Sequence, residues 1–243
     1  MKRLFVCLLV FLHISVYAKY YSQYEQDKIV YERYFLNSTP GVFVDVGAHD
    51  GISLSNSYFF EKERGWTGIC IEPMPHIFAK LQNNRKCICV QGCAAHKSGT
   101  GKLLMMSDPA VDMLSGLQEN YDPRHLKRIQ LEVAQSGAKT ELIDVNCYRL
   151  NDLFESNNIR HINFLSIDTE GGEFDILSSI DFSKYKIDVI FVEDNYGDNR
   201  FIPFLTENGY VFEGKFAIDL LFISKEFKAL QSKNSIDISK VSK

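Results

Sequence analysis

The sequence predicts an α/β protein built on a mostly parallel sheet with helices on both faces. Three observations carry this. Short apolar runs of strand length alternate with stretches of helical period along most of the chain. The runs Val42-Phe43-Val44-Asp45-Val46, Thr67-Gly68-Ile69-Cys70-Ile71 and Ile162 to Ile167 are nearly continuous in apolar character, as strands buried on both faces are. Each of these runs ends in a polar turn, where sheets of this kind collect their ligands.

Taken in order, Tyr24 to Leu36 places Ile29, Val30, Tyr34 and Phe35 among charges and reads as a leading helix, ended by Asn37 to Gly41. Val42 to Val46 is the first strand, Gly47 to Gly51 a turn, and Ser53 to Lys62 a helix. Thr67 to Ile71 is the second strand, stopped by Glu72-Pro73. His76 to Asn84 is helical, and Cys87 to Val90 is the third strand. Two extended pieces, Lys102 to Met106 and Leu142 to Cys147, flank a polar insertion. Ile162 to Ile167 is a strand, Phe174 to Ile180 a helix, Val189 to Val192 a strand and Phe201 to Asn208 a helix. Tyr210 to Phe212 and Asp219 to Ile223 then pair as a closing hairpin. Residues 19–224 form one domain. The last nineteen residues, 225–243, hold five Lys and four Ser and read as a flexible tail.

At the other end, Lys2 and Arg3 precede the apolar run Leu4 to Val16, and Val16-Tyr17-Ala18 offers small residues at both cleavage-determining positions. The run is short of the about 20 apolar residues a membrane span needs. Residues 1–18 therefore read as a signal peptide cleaved after Ala18, with an uncleaved membrane anchor as the alternative. Either reading sends the chain into the secretory pathway or onto a membrane; an unused segment would leave it in the cytoplasm. Cleavage would also remove Cys7 and leave five of the six Cys, an odd number that implies at least one free thiol.

Composition narrows the function. Hydrophobic residues make up 45% of the 243, with 18 Phe and 12 Tyr, so whole-chain disorder is excluded. A net charge of −4 and no long basic run leave nothing to neutralise nucleic-acid phosphates.

The chemistry belongs at the strand ends. Asp45-Val46-Gly47-Ala48-His49-Asp50-Gly51 combines glycines, which allow a sharp turn and a close approach, with an acid inside the strand. A carboxylate there repels a pyrophosphate and welcomes an ammonium group, which S-adenosylmethionine carries. Glu72 ends the second strand twenty-five residues after Gly47. An acid at this place accepts hydrogen bonds from ribose hydroxyls, in nicotinamide and S-adenosylmethionine sites alike. Ser166-Ile167-Asp168-Thr169-Glu170-Gly171-Gly172-Glu173 is the densest polar cluster, and Glu193-Asp194 ends the next strand. For Glu173 and Asp194, helix capping and a solvated rim are competing explanations.

Together, Phe43-Val44-Asp45-Val46-Gly47-Ala48-His49-Asp50-Gly51, Ile71-Glu72-Pro73, Met113-Leu114-Ser115-Gly116-Leu117 and Ser166-Ile167-Asp168-Thr169-Glu170-Gly171 resemble the FkbM-type methyltransferases, from about Ser22 to Ile223. The resemblance implies a class I methyltransferase, Rossmann-like fold: a seven-stranded, mostly parallel sheet closed by a C-terminal antiparallel hairpin. It implies S-adenosyl-L-methionine as cofactor and O-methylation of a hydroxyl on a sugar or other small molecule. Asp45 and Gly47 would border its methionine end, Glu72 its ribose, and Gly92 and Cys93 its adenine; His49 and Gly51, in the same turn as Gly47, would also touch the cofactor. Asp168 and Glu170 would face the methyl group or the acceptor, with Glu193 beside them. His49 stands where many class I methyltransferases have a second glycine.

A hydroxyl acceptor must lose a proton, and Asp168, Glu170, Glu193 and His49 are the candidate bases. Strand-end acids are also able to hold a divalent ion, although the sequence assigns no metal site. Cys87, Cys89 and Cys93 cluster near Cys70 without the paired spacing of a zinc knuckle. Two other functions compete. A nicotinamide oxidoreductase calls for three glycines in Gly-x-Gly-x-x-Gly register and no Asp45. A non-catalytic binding protein on the same scaffold is suggested by the leader, because S-adenosylmethionine is made in the cytosol.

Overall fold

The computed structural model describes residues 18–238. The signal or anchor reading of residues 1–17 lies outside them, and among the described residues no helix is long and apolar enough to cross a membrane.

The chain begins with α1 (Gln26–Val30), continued by a π-helical turn over Tyr31–Phe35. There follow β1 (Val42–Val46), α2 (Tyr58–Arg64), β2 (Thr67–Glu72), α3 (Pro75–Asn84) and β3 (Ile88–Gln91). Next come β4 (Cys93–Ala94) and the two expected extended pieces, β5 (Gly99–Met106) and β7 (Thr140–Tyr148), and between these the polar insertion holds β6 (Gly116–Leu117) and α4 (Pro123–Ser136). The chain then runs through α5 (Leu150–Ser156), β8 (His161–Ile167), α6 (Glu173–Ser178), β9 (Lys186–Glu193) and α7 (Phe201–Glu207). β10 (Tyr210–Phe216), β11 (Asp219–Ser224) and α8 (Lys225–Ile238) complete it.

The main sheet has seven strands in the order β10-β11-β9-β8-β1-β2-β3. From β9 to β3 all pairings are parallel; β11 is antiparallel to both β9 and β10. This is the Rossmann-like arrangement that the family resemblance implies, with the closing hairpin that the sequence pattern predicts. The strands alternate their side chains between two cores. Val44, Val46, Leu165 and Val192 face α5, α6 and α7. Phe43, Phe164, Val189 and Phe191 face a second core with Phe35, Phe60 and Trp66. Asp45 shares the face of Phe43, so its carboxylate enters an apolar layer and needs partners there.

A second sheet, β4-β7-β5-β6, has no counterpart in the sequence reading, which saw only its two long strands. Its apolar side packs Leu103, Leu117, Val145 and Cys147 onto Met74 and Ile77 of the main body. The insertion is thus a small sheet standing on the carboxyl end of the large one.

Two expectations are corrected. Ser53 to Ser57 is not the first part of a helix, which starts only at Tyr58. The Asp50 carboxylate takes the N–H groups of Ile52 and Ser53, and Leu54 adopts a left-handed φ of 55°. Nor is the segment after Ser224 a flexible tail throughout, because α8 occupies it as far as Ile238. Phe227 stacks on Phe35 with ring centroids 5.4 Å apart, and Lys228 pairs with Glu213 at 2.6 Å. One aromatic residue in a polar stretch supplies the docking face.

Candidate active site

A cavity of about 300 Å³ opens at the carboxyl ends of β1, β2, β8 and β9. The turn after β1 forms its floor. Gly47 has φ 86°, and its N–H donates to Ile71 O at 3.0 Å. A Cβ at this position would lie 1.8 Å from the Asp168 carbonyl oxygen, so no other residue fits between β1 and β8. Asp45 borders the cavity, but its Oδ2 accepts from Ser57 Oγ at 2.5 Å and Ser55 Oγ at 3.5 Å. Arg85 donates to both hydroxyls from behind, and its Nε donates to Glu61 at 2.7 Å. Burial pushes the Asp45 carboxyl up, opposed by Arg85 and the two serines. Asp45 therefore anchors a buried polar network as well as bordering the cavity.

At the opposite wall, β8 and β9 deliver Asp168, Glu170 and Glu193, whose carboxylate oxygens lie within 4.8 Å of one another. Three ionised carboxylates this close repel strongly. Enclosure pushes Asp168 up to about 7, with the charges of Asp219 and Glu173 adding to it. Enclosure and the neighbouring Asp168 push Glu170 up to about 8, and Glu193 is raised well above the usual range for the same reasons. Glu170 holds a left-handed φ of 61°, unusual for a residue with a side chain. Asn195 Nδ2 donates to Glu193 Oε1 at 2.7 Å and to Glu170 Oε2 at 3.5 Å. The set can share protons, or its oxygens can ligate a divalent ion.

The third wall is Glu72, buried at the end of β2. Its Oε1 accepts the Met74 N–H at 2.8 Å and its Oε2 accepts the His49 N–H at 3.1 Å. Burial pushes its carboxyl up to about 7 against these donors. Gly92, Cys93 and Ala94 continue this wall, and Pro73 and Met74 flank it.

The structure thus brings Asp45, Gly47, His49, Glu72, Gly92, Cys93, Asp168, Glu170 and Glu193 to one cavity. Gly51 is a correction: it lies beneath the floor, where a Cβ would meet Leu81 and Arg85 at 2.6 and 2.7 Å. Its φ of 82° serves the turn and not a ligand. Glu173 turns away from the cavity and holds the loop before α6, accepting from the N–H groups of Thr169 and Gly171 at 2.9 Å. Asp194 closes the loop after β9 by accepting the Asp198 N–H at 2.6 Å. The cysteines divide. Cys70 and Cys87 have sulfurs 3.5 Å apart inside the main body, whereas Cys93 and Cys147 are register partners of β4 and β7.

Two residues of the insertion that the sequence reading does not name join the site, the first of them directly before the motif Met113 to Leu117. Asp112, in the 3₁₀ turn Asp112–Leu114, roofs the cavity. His125 of α4 is buried and stacked on Tyr121 at 5.0 Å, with Nδ1 3.1 Å from the Tyr196 hydroxyl and 3.3 Å from Glu170 Oε2. Only the turn signals Asp122-Pro123 and Gly137 around α4 hint that this segment is ordered.

A Rossmann-like sheet with an acid-lined cavity at its switch point is the arrangement in which open α/β proteins receive their ligands. Residues 45–212 match the family described as Methyltransferase FkbM domain, and the chain belongs to that family. It is 30% identical over 165 residues to "Methyltransferase 1" of Beauveria bassiana (strain ARSEF 2860), covering 64% of this chain. The chain spans 66% of the length of that curated relative. Among solved structures, precorrin-6y C5,15-methyltransferase from Geobacter metallireducens GS-15 is 12% identical. That match has a TM-score of 0.41 and covers 81% of this chain and 85% of the other.

Proposed function

We propose that this protein is an S-adenosylmethionine-dependent O-methyltransferase acting on a hydroxyl of a sugar or other small molecule. The observation that carries the reading is one cavity with two unlike acid walls: a buried, backbone-held Glu72 on one side and three crowded carboxyls on the other. The cavity fits the cofactor. Glu72 offers acceptor oxygens for ribose, and Ile71, Pro73, Met74, Ala94 and Leu117 supply apolar surface for a purine. Acidic walls suit a positively charged ligand and oppose a pyrophosphate.

S-adenosylmethionine supplies a methyl group on a sulfonium. The chain's own part is to align the acceptor and take its proton. Asp168 and Glu170 are the bases we assign to that proton, because they line the cavity and a base near neutral pKa suits the task. Asn195 orients Glu193 and Glu170. A second cavity of about 520 Å³ meets the first at Asn120, Glu170, Glu193 and Asn195 and is the route we assign to the acceptor.

Calorimetric titration of residues 19–243 with S-adenosylhomocysteine tests the reading. Binding at micromolar or tighter affinity is expected; no heat at millimolar ligand would overturn it.

A further inference from the structure

Asp112 is 3% exposed, and its Oδ1 has no hydrogen-bond partner among the described residues. A buried carboxylate oxygen without a hydrogen bond is costly and persists where something outside the chain completes it. Against Asp112 stands His49, held at a left-handed φ of 48°. Its N–H is spent on Glu72, while neither ring nitrogen has a hydrogen-bond partner among the described residues. His49 Nε2 lies 3.4 Å from Asp112 Oδ1, close but out of line for a hydrogen bond. Backbone strain of this kind gathers where a ligand is gripped. Each Glu72 oxygen already accepts one backbone N–H, and each keeps a second lone pair.

Three side chains from three elements thus converge: two carboxyls, acceptors when ionised, and an imidazole that accepts or donates. Asp168, Glu170 and Glu193 gather closely enough to share one ion; Glu72, His49 and Asp112 do not form such a group. Two separated acceptors with a swing partner between them match a pair of neighbouring hydroxyls. We infer that Asp112 and His49 join Glu72 in binding the ribose diol of the adenosyl cofactor, so that the inserted sheet closes over the ligand. This rests on the cofactor reading given above.

The test is calorimetry with S-adenosylhomocysteine and its 2′-deoxy and 3′-deoxy forms, on the wild type, Asp112→Ala and His49→Asn. Asparagine tolerates the left-handed backbone that His49 occupies. Each substitution should weaken S-adenosylhomocysteine about 10-fold, one hydrogen bond to a charged group. That factor should shrink to near unity for at least one deoxy form. The melting temperature of the ligand-free Asp112→Ala chain, read beside the titration, should show a chain still folded at the working temperature, so that lost folding cannot mimic the result. Hydrogen exchange at residues 111–117 should slow with ligand in the wild type and not in Asp112→Ala. A wild type that binds beside an Asp112→Ala chain that binds equally well overturns this inference alone. Equal losses for the parent ligand and both deoxy forms overturn it too. A wild type that takes no ligand overturns the cofactor reading and this inference with it.

Discussion

At the scale of single residues, a carboxyl pushed up to about 7 or 8 is half ionised near neutrality, which is where a base is most useful. Turnover should therefore climb through that range as Asp168 and Glu170 lose their protons, and a pH–rate profile flat from 6 to 9 would remove them as bases. Asp168→Asn should lower turnover about 10²–10⁴-fold while affinity for S-adenosylhomocysteine barely changes. If affinity falls and turnover at saturating cofactor does not, Asp168 is a cofactor ligand instead. Glu72→Ala should cost about 1–3 kcal/mol of cofactor affinity, read by the same titration. The raised carboxyls also tie stability to pH. Folding lifts Asp168 from 3.8 to about 7 and Glu170 from 4.5 to about 8, so the native chain binds more protons than the unfolded one across that window. Stability is whole below it and is lost as pH rises through it. The melting temperature should fall between pH 5 and 8, and less steeply in Asp168→Asn. These acids were legible in the sequence because a strand end fixes where a side chain emerges. Asp112 and His125 were not, because their loop and helix reach the site only through tertiary packing.

Elements show the same division. The parallel strands announced themselves by continuous apolar runs, and their pairing put β1 beside β8 as the fold class requires. Gly47→Ala should be severe, on the order of 3 kcal/mol or more, because positive φ and a backbone collision act together. A urea midpoint within experimental error of the wild type would contradict the strand spacing at that turn. The helix α4 escaped the sequence reading because its buried face is narrow: His125 and Ile129 are its buried residues, among many charges. The helix α8 escaped for a related reason, since one aromatic side chain gives no period. Phe227→Ala should cost about 1–2 kcal/mol in denaturant unfolding, the worth of a half-buried aromatic contact. A neutral result would mean that the ion pairs of α8, and not its ring, hold it down.

For the whole molecule, the destination of the chain turns on its first eighteen residues. We propose that they direct export, and mass spectrometry of protein from its native host should then find Lys19 first. Recovery of intact Met1 from a soluble cytosolic fraction would sink that proposal and remove the difficulty of supplying the cofactor. The main body and the inserted sheet differ in how they were specified. Seven strands and their polar ends follow from local pattern, whereas the small sheet depends on Leu103, Leu117 and Val145 finding Met74 and Ile77.

The chain leaves the large sheet through Gly92 and returns at Tyr148. The two crossings lie side by side: β4 pairs with the end of β7, and the Ala95 N–H donates to Tyr148 O at 2.9 Å. A Cβ on Gly92 would stand 2.5 Å from Asn146 O, so the joint is closed to larger residues. A segment whose two ends meet behaves as a cassette. Residues 93–147 can be exchanged between relatives as one graft, with Gly92 and Tyr148 kept as the seams and the strand-end acids left in place. Such a chimera should keep the chemistry of its host and take its choice of acceptor from the donor.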